Sequence, residues 1–106
     1  MSALVVVTTA PVSHAHKIAK TLVDRRLAAC VQMDDVTSYY RWGGKVKTEH
    51  EIRLTIKTRA ELYDVLEKTL CDMTPYQTPE ILAHPVTAGS RDYLKWIDEV
   101  TGESHD

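Results

Sequence analysis

The amino-acid sequence predicts an α+β fold, in which one antiparallel sheet carries helices. Three observations lead to this class. The strand-like and helix-like segments follow one another in the order β-α-β-β-α-β, with one further helix after them. The two middle strand segments are joined at Gly43-Gly44, a tight turn typical of an antiparallel hairpin. The length of 106 residues is enough for one domain with its own core, so we expect a single domain over 1–106.

The first strand and helix are read from two different patterns. Leu4–Thr9 is a continuous run rich in β-branched residues, as in a strand that is covered on both faces. Pro11 and Ser13 then open a helix. Its apolar stripe consists of Ile18, Ala19, Leu22 and Val23.

A long hairpin follows, with arms at 28–42 and 45–57. In the second arm, three aliphatic residues alternate with polar ones, so we expect one buried face and one wet face. The wet positions are Glu51, Arg53, Thr55 and Lys57. The first arm would span roughly 50 Å, whereas a domain of this size has a diameter of about 35 Å. The hairpin is therefore expected to bend or to project.

The distal half of the hairpin carries a predicted kink and three aromatic residues. The apolar positions change phase across Asp34-Asp35, which predicts a β-bulge there. Tyr39, Tyr40 and Trp42 lie beyond it. They could fold back onto the helices of their own chain, or they could pack on another copy of it. We favour the second interpretation, and with it a symmetric oligomer built by strand contacts.

The second half of the chain predicts a helix, a strand and a last helix. Residues 58–61 form a capping-box pattern ahead of the first of these helices. The strand is expected over 78–86, and Pro79 and Pro85 place it at a sheet edge, where a missing N–H is tolerated. Ser90 is expected to cap the last helix. This order of elements is the ferredoxin-like split β-α-β arrangement, with a long central hairpin and an extra C-terminal helix.

Composition excludes several classes of partner. A formal net charge of −2 creates no field that would hold nucleic acid or an anionic membrane. The apolar run at 4–7 is too short for a signal sequence or a membrane span. Two cysteines without framework spacing indicate a reducing, cytoplasmic setting. The residues from about 102 onward are expected to be a frayed tail.

Motif searches give no catalytic centre. The turn at 8–11 lacks the arginine that an acylphosphatase needs, and the chain contains no asparagine to orient a water molecule. No phosphate-binding glycine loop occurs. RRM domains stack RNA bases on aromatic residues of their central strands. The third strand of this chain, over 51–57, has no aromatic residue. We therefore predict a protein that is not an enzyme and does not bind nucleic acid.

A few residues, spread along the chain, are candidate metal ligands. Cys71 and Met73 form a soft sulfur pair that would suit Cu(I). His84, on the edge strand, and Cys30, at the start of the hairpin, are the other candidate ligands. The alternatives are an ordinary half-buried histidine and an inert core thiol.

A second candidate site is a cleft at a seam between subunits. Lys57, Glu80 and Trp96 lie at predicted element ends where such a cleft could form, together with the hairpin aromatics. The stretch TPYQTPEIL, at 74–82, places Tyr76 between two prolines, which fix an extended loop leading to the edge strand. Each of these residues could instead serve in packing or as a solvated charge.

Five stretches, spread over nearly the whole chain, carry a family resemblance. They are ACVQ at 29–32, YRWGGK at 40–45, IKT at 56–58, PYQTPEI at 75–81 and YLKW at 93–96. In this order and spacing the chain resembles the CutA divalent-cation-tolerance family. The resemblance implies a ferredoxin-like subunit and a homotrimer similar to PII signalling proteins. It also implies a role linked to copper and other divalent cations, with copper as the candidate bound metal.

The sequence also departs from that family pattern. Thr74 stands where members usually carry a histidine, and Thr8 stands where some carry a cysteine. Asp34-Asp35 replaces a Pro-Gly pair. The metal ligands that the resemblance implies are thus largely missing. Two hypotheses follow: a trimeric metal-binding or metal-response protein, and a PII-like regulatory trimer that binds a small molecule or a partner protein at its seams.

Overall fold

A computed structural model describes residues 2–102, and the predicted tail beyond 102 lies outside the described residues. The sheet is four-stranded and antiparallel, in the order β2-β3-β1-β4, which confirms the predicted ferredoxin-like α+β class. The elements are β1 Ala3–Ala10, α1 Val12–Asp24, β2 Cys30–Trp42, β3 Lys45–Arg59, a 3-10 turn Ala60–Leu62, α2 Tyr63–Met73, β4 Ile81–Pro85 and α3 Arg91–Thr101. None of these helices is long and apolar enough to cross a membrane.

The two faces of the sheet are covered to different extents. One face, called the helix face, packs against α1 and α2. The core between them includes Leu22 of α1, Leu54 of β3 and Leu66 of α2. Within the described residues, the opposite face, called the open face below, is covered by a helix at one end only, where Ile97 of α3 packs on Ala3 and Ala29. Side chains alternate between the faces along each strand, so the strand residues adjacent to Leu54 in sequence point to the open face.

The hairpin of β2 and β3 is regular throughout its length. Its pairing runs without interruption from Cys30 opposite Lys57 to Trp42 opposite Lys45, so the predicted bulge at Asp34-Asp35 is wrong. The apolar pattern changes phase for another reason. Near the base of the hairpin, apolar side chains point to the helix face, whereas Tyr40 and Trp42 lie on the open face beyond the last helix contact.

The hairpin projects from the body of the subunit, as its length predicts. All residues from 39 to 50 are exposed, and the molecule measures 45 Å along its longest axis against 29 and 21 Å along the others. Tyr39 is 73% exposed, Tyr40 37% and Trp42 45%. The interpretation in which these rings fold back onto their own helices is therefore wrong within one subunit.

Three local predictions are corrected by the structure. Thr58 still belongs to β3 and donates from its hydroxyl to the carbonyl of Leu27 at 2.8 Å, so the capping box does not form. Ser90 stands at the N-cap of α3, but its side chain makes no capping hydrogen bond. The edge strand β4 is shorter than expected, although Pro85 does lie on an edge strand paired only with β1.

The buried hydroxyl of Thr58 gives a test of the packing at the base of the hairpin. Thr58→Val keeps the shape of the side chain but leaves the carbonyl of Leu27 without this donor. We expect the free energy of unfolding to fall by about 1–3 kcal/mol. Urea denaturation at a fixed protein concentration measures this change. Thr87→Val, at an exposed loop position, is the matched control. Equal midpoints for the two variants would contradict the prediction.

Candidate functional site

A groove of about 710 Å³ lies on the open face, where the hairpin leaves the body of the subunit. We call it the hairpin groove. One wall comes from β2 and β3, and the other from the loop 76–80 between α2 and β4. Four aromatic residues line it: Tyr40, Trp42 and Tyr76, and also Tyr39, whose position in β2 alternates to the opposite face of the hairpin. Three carboxylates and one ammonium group also line it: Glu49, Glu51, Glu80 and Lys47.

The loop wall is shaped by its prolines. Helix α2 ends at Met73, since the residue before a proline is driven out of helical conformation, and Thr74 is extended with ψ 143°. The hydroxyl of Thr74 then accepts a hydrogen bond from the backbone N–H of Tyr76 at 3.1 Å. This turn directs the Tyr76 side chain onto the hairpin, where its hydroxyl donates to Glu51.

Two phenol–carboxylate pairs stand side by side in the groove. The Tyr40 hydroxyl donates to Glu49 at 2.8 Å, and this hydrogen bond raises the pKa of Tyr40. Burial and the hydrogen bond to Glu51 raise the pKa of Tyr76 well above its usual value. Glu51 is only 9% exposed, so its predicted place on a wet face is wrong. Tyr76, at the start of the loop 76–80, covers it, and alternation within β3 alone cannot reveal this contact.

Glu80 lines the groove and interacts electrostatically with a charged pair of the hairpin. Arg53 of β3 binds Asp34 of β2 at 2.7 Å, which is the main cause of the raised pKa of the guanidinium. Glu80 raises that pKa to a smaller extent through space. Glu80 is exposed, and within residues 2–102 its carboxylate forms no salt bridge. Its carboxylate therefore remains available to a ligand.

The structure brings together five of the seven predicted cleft residues: Tyr39, Tyr40, Trp42, Tyr76 and Glu80. Lys57 and Trp96 do not line the groove. Lys57 donates to the side-chain oxygen of Gln32 on the open face. Trp96 lies on α3 with its ring centroid 5.4 Å from that of Tyr93.

Sequence reasoning missed Glu49 and Glu51 as groove residues. Both belong to the same alternating face of β3 as Lys57, and hairpin pairing places that face beside Tyr40 and Trp42. Alternation combined with the hairpin register could have identified them.

The candidate metal ligands are dispersed within one subunit. Cys71 is exposed on α2, while Met73, two residues on, packs against the core cluster, so their sulfur atoms point in different directions. His84 is exposed on β4, and Cys30 is half-buried beside the Tyr93 hydroxyl. Within residues 2–102, no three His, Cys, Asp or Glu side chains are grouped to hold a metal ion. The described part of one subunit therefore does not group the donor set that a copper or zinc site requires.

Comparisons with known proteins cover almost the whole chain. Residues 3–100 match the family model of the CutA1 divalent ion tolerance protein. A divalent-cation tolerance protein CutA from Thermus thermophilus is 41% identical over 103 residues, which is 96% of this chain and 100% of that protein.

Solved structures of similar proteins share the fold. A structure described as the periplasmic divalent cation tolerance protein CutA from Archaeoglobus fulgidus superimposes with a TM-score of 0.91 at 35% identity, covering 93% of this chain and 98% of the other. A PII-like protein CutA from Nostoc superimposes with a TM-score of 0.89 at 31% identity, covering 95% and 97%. The chain therefore belongs to the CutA1 divalent ion tolerance family, and it has the PII-like CutA fold.

Proposed function

We propose that this protein is a homotrimeric divalent-cation-response protein that acts by binding at the seams between its subunits and catalyses no reaction. The observation that carries the proposal is the open face of the sheet. It is a face with apolar residues and a projecting aromatic hairpin, and a single chain leaves most of it uncovered. Surfaces of this kind mark protein contacts.

The open face has the composition of an interface between copies. Val5 and Val7 of β1 are only half-buried, and Leu82 of β4, opposite Val7, is 54% exposed. Strands β2 and β4 are the two edges of the sheet, and each has one side without a strand partner among the described residues. Packing on sibling chains would cover the face and the edges together. Closed symmetry limits such growth, and the PII-like character of the Nostoc relative supports three copies.

The cation-binding part of the proposal follows from the dispersal of the ligands. Because one subunit groups no three donors within residues 2–102, we place the cation site between chains. His84 and Cys30 are its candidate donors on the open face, since both occupy positions whose side chains alternate toward that face. Cys71 and Met73 on α2 are the second candidate pair, and copper is the candidate metal.

A second function is favoured by the hairpin groove. Its volume and its mixed aromatic and charged lining suit a small organic molecule better than a metal ion. In this alternative, the trimer is a PII-like regulator, and a metabolite or a partner protein at the seam is its signal.

We place the protein in the cytoplasm as part of this proposal. Cys30 and Cys71 are free thiols, which suits a reducing compartment. The relative from Archaeoglobus fulgidus is described as periplasmic, so fractionation of cells and detection by antibody is the direct check.

Oligomeric mass tests the trimer. Light scattering at micromolar concentration is expected to give three times the chain mass of 12.0 kDa. Leu82→Lys puts a charge on the open face and should dissociate the assembly. Val65→Lys is the matched control, because Val65 is 44% exposed on the outer side of α2 and should leave the mass unchanged. A compact, folded 12.0 kDa particle from the unmodified chain would end the proposal.

Calorimetric titration with copper separates the two functions. If the protein binds copper at the seam, we expect a dissociation constant well below about 1 mM, and His84→Ala should weaken binding about tenfold or more. Cys71→Ser tests the second donor pair in the same way. His16→Ala, an exposed position on α1, is the control and should change nothing. Millimolar binding that is indifferent to His84 and Cys71 would leave the regulatory alternative standing.

A further inference from the structure

We infer that the hairpin groove binds a small organic cation, an ammonium group carried on an apolar body. The inference rests on the proposed function, because it names the ligand class of the seam. Three features of the groove carry it: the size of the groove, the sign of its charges and the aromatic side chains around them.

The size of the groove excludes a bare ion as its occupant. A volume of about 710 Å³ lies within the usual range of small-molecule sites, which is about 300–1,000 Å³. A metal ion instead needs several donors converging at about 2.0–2.6 Å, and residues 2–102 offer no such group. The occupant must therefore be a molecule with a body large enough to touch both walls.

The sign of the lining charges selects a cation. Glu49, Glu51 and Glu80 face a single ammonium group, that of Lys47. The nearby guanidinium of Arg53 is held by Asp34 at 2.7 Å and adds no free positive charge. A phosphate or carboxylate ligand would meet like charge in the groove, so nucleotides and organic acids are disfavoured.

The carboxylates are prepared for such a ligand. Tyr40 holds Glu49 at 2.8 Å, and Tyr76, from the opposite wall, holds Glu51. A carboxylate has about four acceptor positions, and each phenol occupies one, so both groups keep the capacity to accept an ammonium N–H. Fixing the acceptors in advance reduces the entropy lost when the ligand binds.

The aromatic side chains supply the second half of the recognition. Trp42 and Tyr40 occupy alternate positions on the open face, next to the carboxylates of β3. Ring faces attract ammonium groups and also pack against an apolar body. Three aromatic side chains, those of Tyr40, Trp42 and Tyr76, beside three carboxylates make a site that neither a hydrated inorganic ion nor an anion would fill well.

NMR with three matched probes tests the inference. Phenethylammonium, phenethyl alcohol and phenylacetate share one ring and differ mainly in charge. The chain has two tryptophans, so its two indole N–H signals report the groove through Trp42 and a remote position through Trp96. We expect phenethylammonium to shift the Trp42 signal and to bind at least about tenfold more tightly than the other two probes. The Trp96 signal should stay in place.

Two variants make the test specific. Glu80→Gln removes one exposed carboxylate of the groove and should weaken phenethylammonium binding about tenfold. Glu99→Gln, at an exposed position of α3, makes the same change of charge outside the groove and should leave binding unaltered.

The outcomes separate this inference from the proposed function. The inference is overturned if a trimer binds no phenethylammonium, if the alcohol or the acid binds equally well, or if Glu80→Gln has no effect. Each of those results leaves the trimer intact. Light scattering on the same samples tests the trimer itself. A folded monomer that still prefers the ammonium probe would overturn the proposed trimer interface and would support the ligand class.

Discussion

The structure depends on one constraint: a four-stranded sheet has two faces, and this chain has helices enough to cover only one of them. Helices α1 and α2 bury Val6, Leu54 and Ile56, which fill the core on that side. Helix α3 reaches just one end of the other side, around Ile97. Apolar surface that remains in water forgoes the stabilisation of about 25 cal/mol per Å² that its burial would contribute. The hairpin aromatics and the groove both lie on this uncovered face, and the proposed assembly would cover it.

The groove exists because two distant segments meet at the edge of that open face. The loop after α2 could have continued as helix, but Pro75 and Pro79 make it extended and carry Tyr76 across to β3. There Tyr76 closes over Glu51, a carboxylate that strand alternation assigns to solvent. The side chain of Tyr76 thus converts an exposed part of β3 into a wall of the hairpin groove. This contact links the end of α2 to the hairpin and fixes the geometry of both walls.

Much of the fold could be predicted from the sequence, because the patterns that specify it are local. The period-two alternation of Ile52, Leu54 and Ile56 indicates one buried face of a strand, and Gly43-Gly44 specifies the turn with φ of 60° and 76°. The predicted bulge at Asp34 was wrong because a change of phase in apolar residues has two causes, an inserted residue or a change in which face is covered. Only the continuous register, with Asp34 opposite Arg53, separates them.

The capping box failed for a related reason. Thr58 fits the pattern at the start of a helix, but the strand continues past it and its hydroxyl finds the carbonyl of Leu27, 31 residues away in sequence. Tertiary hydrogen bonds of this kind override local preference. The groove could be predicted only in part for the same reason. Its aromatic residues are evident in the sequence, whereas the burial of Glu51 depends on a tertiary contact with Tyr76, 25 residues further along the chain.

In the proposed trimer, ligand sites at the seams would give this molecule a simple physical route to response. A ligand that touches two chains binds only the assembled form, so it stabilises that assembly by mass action. By linkage, assembly raises the affinity for the ligand by the same factor. Donors that are dispersed on one chain, such as His84 and Cys30, would then be grouped only in the proposed assembly. If the open face is covered by sibling chains as proposed, assembly and ligand binding are two aspects of a single equilibrium.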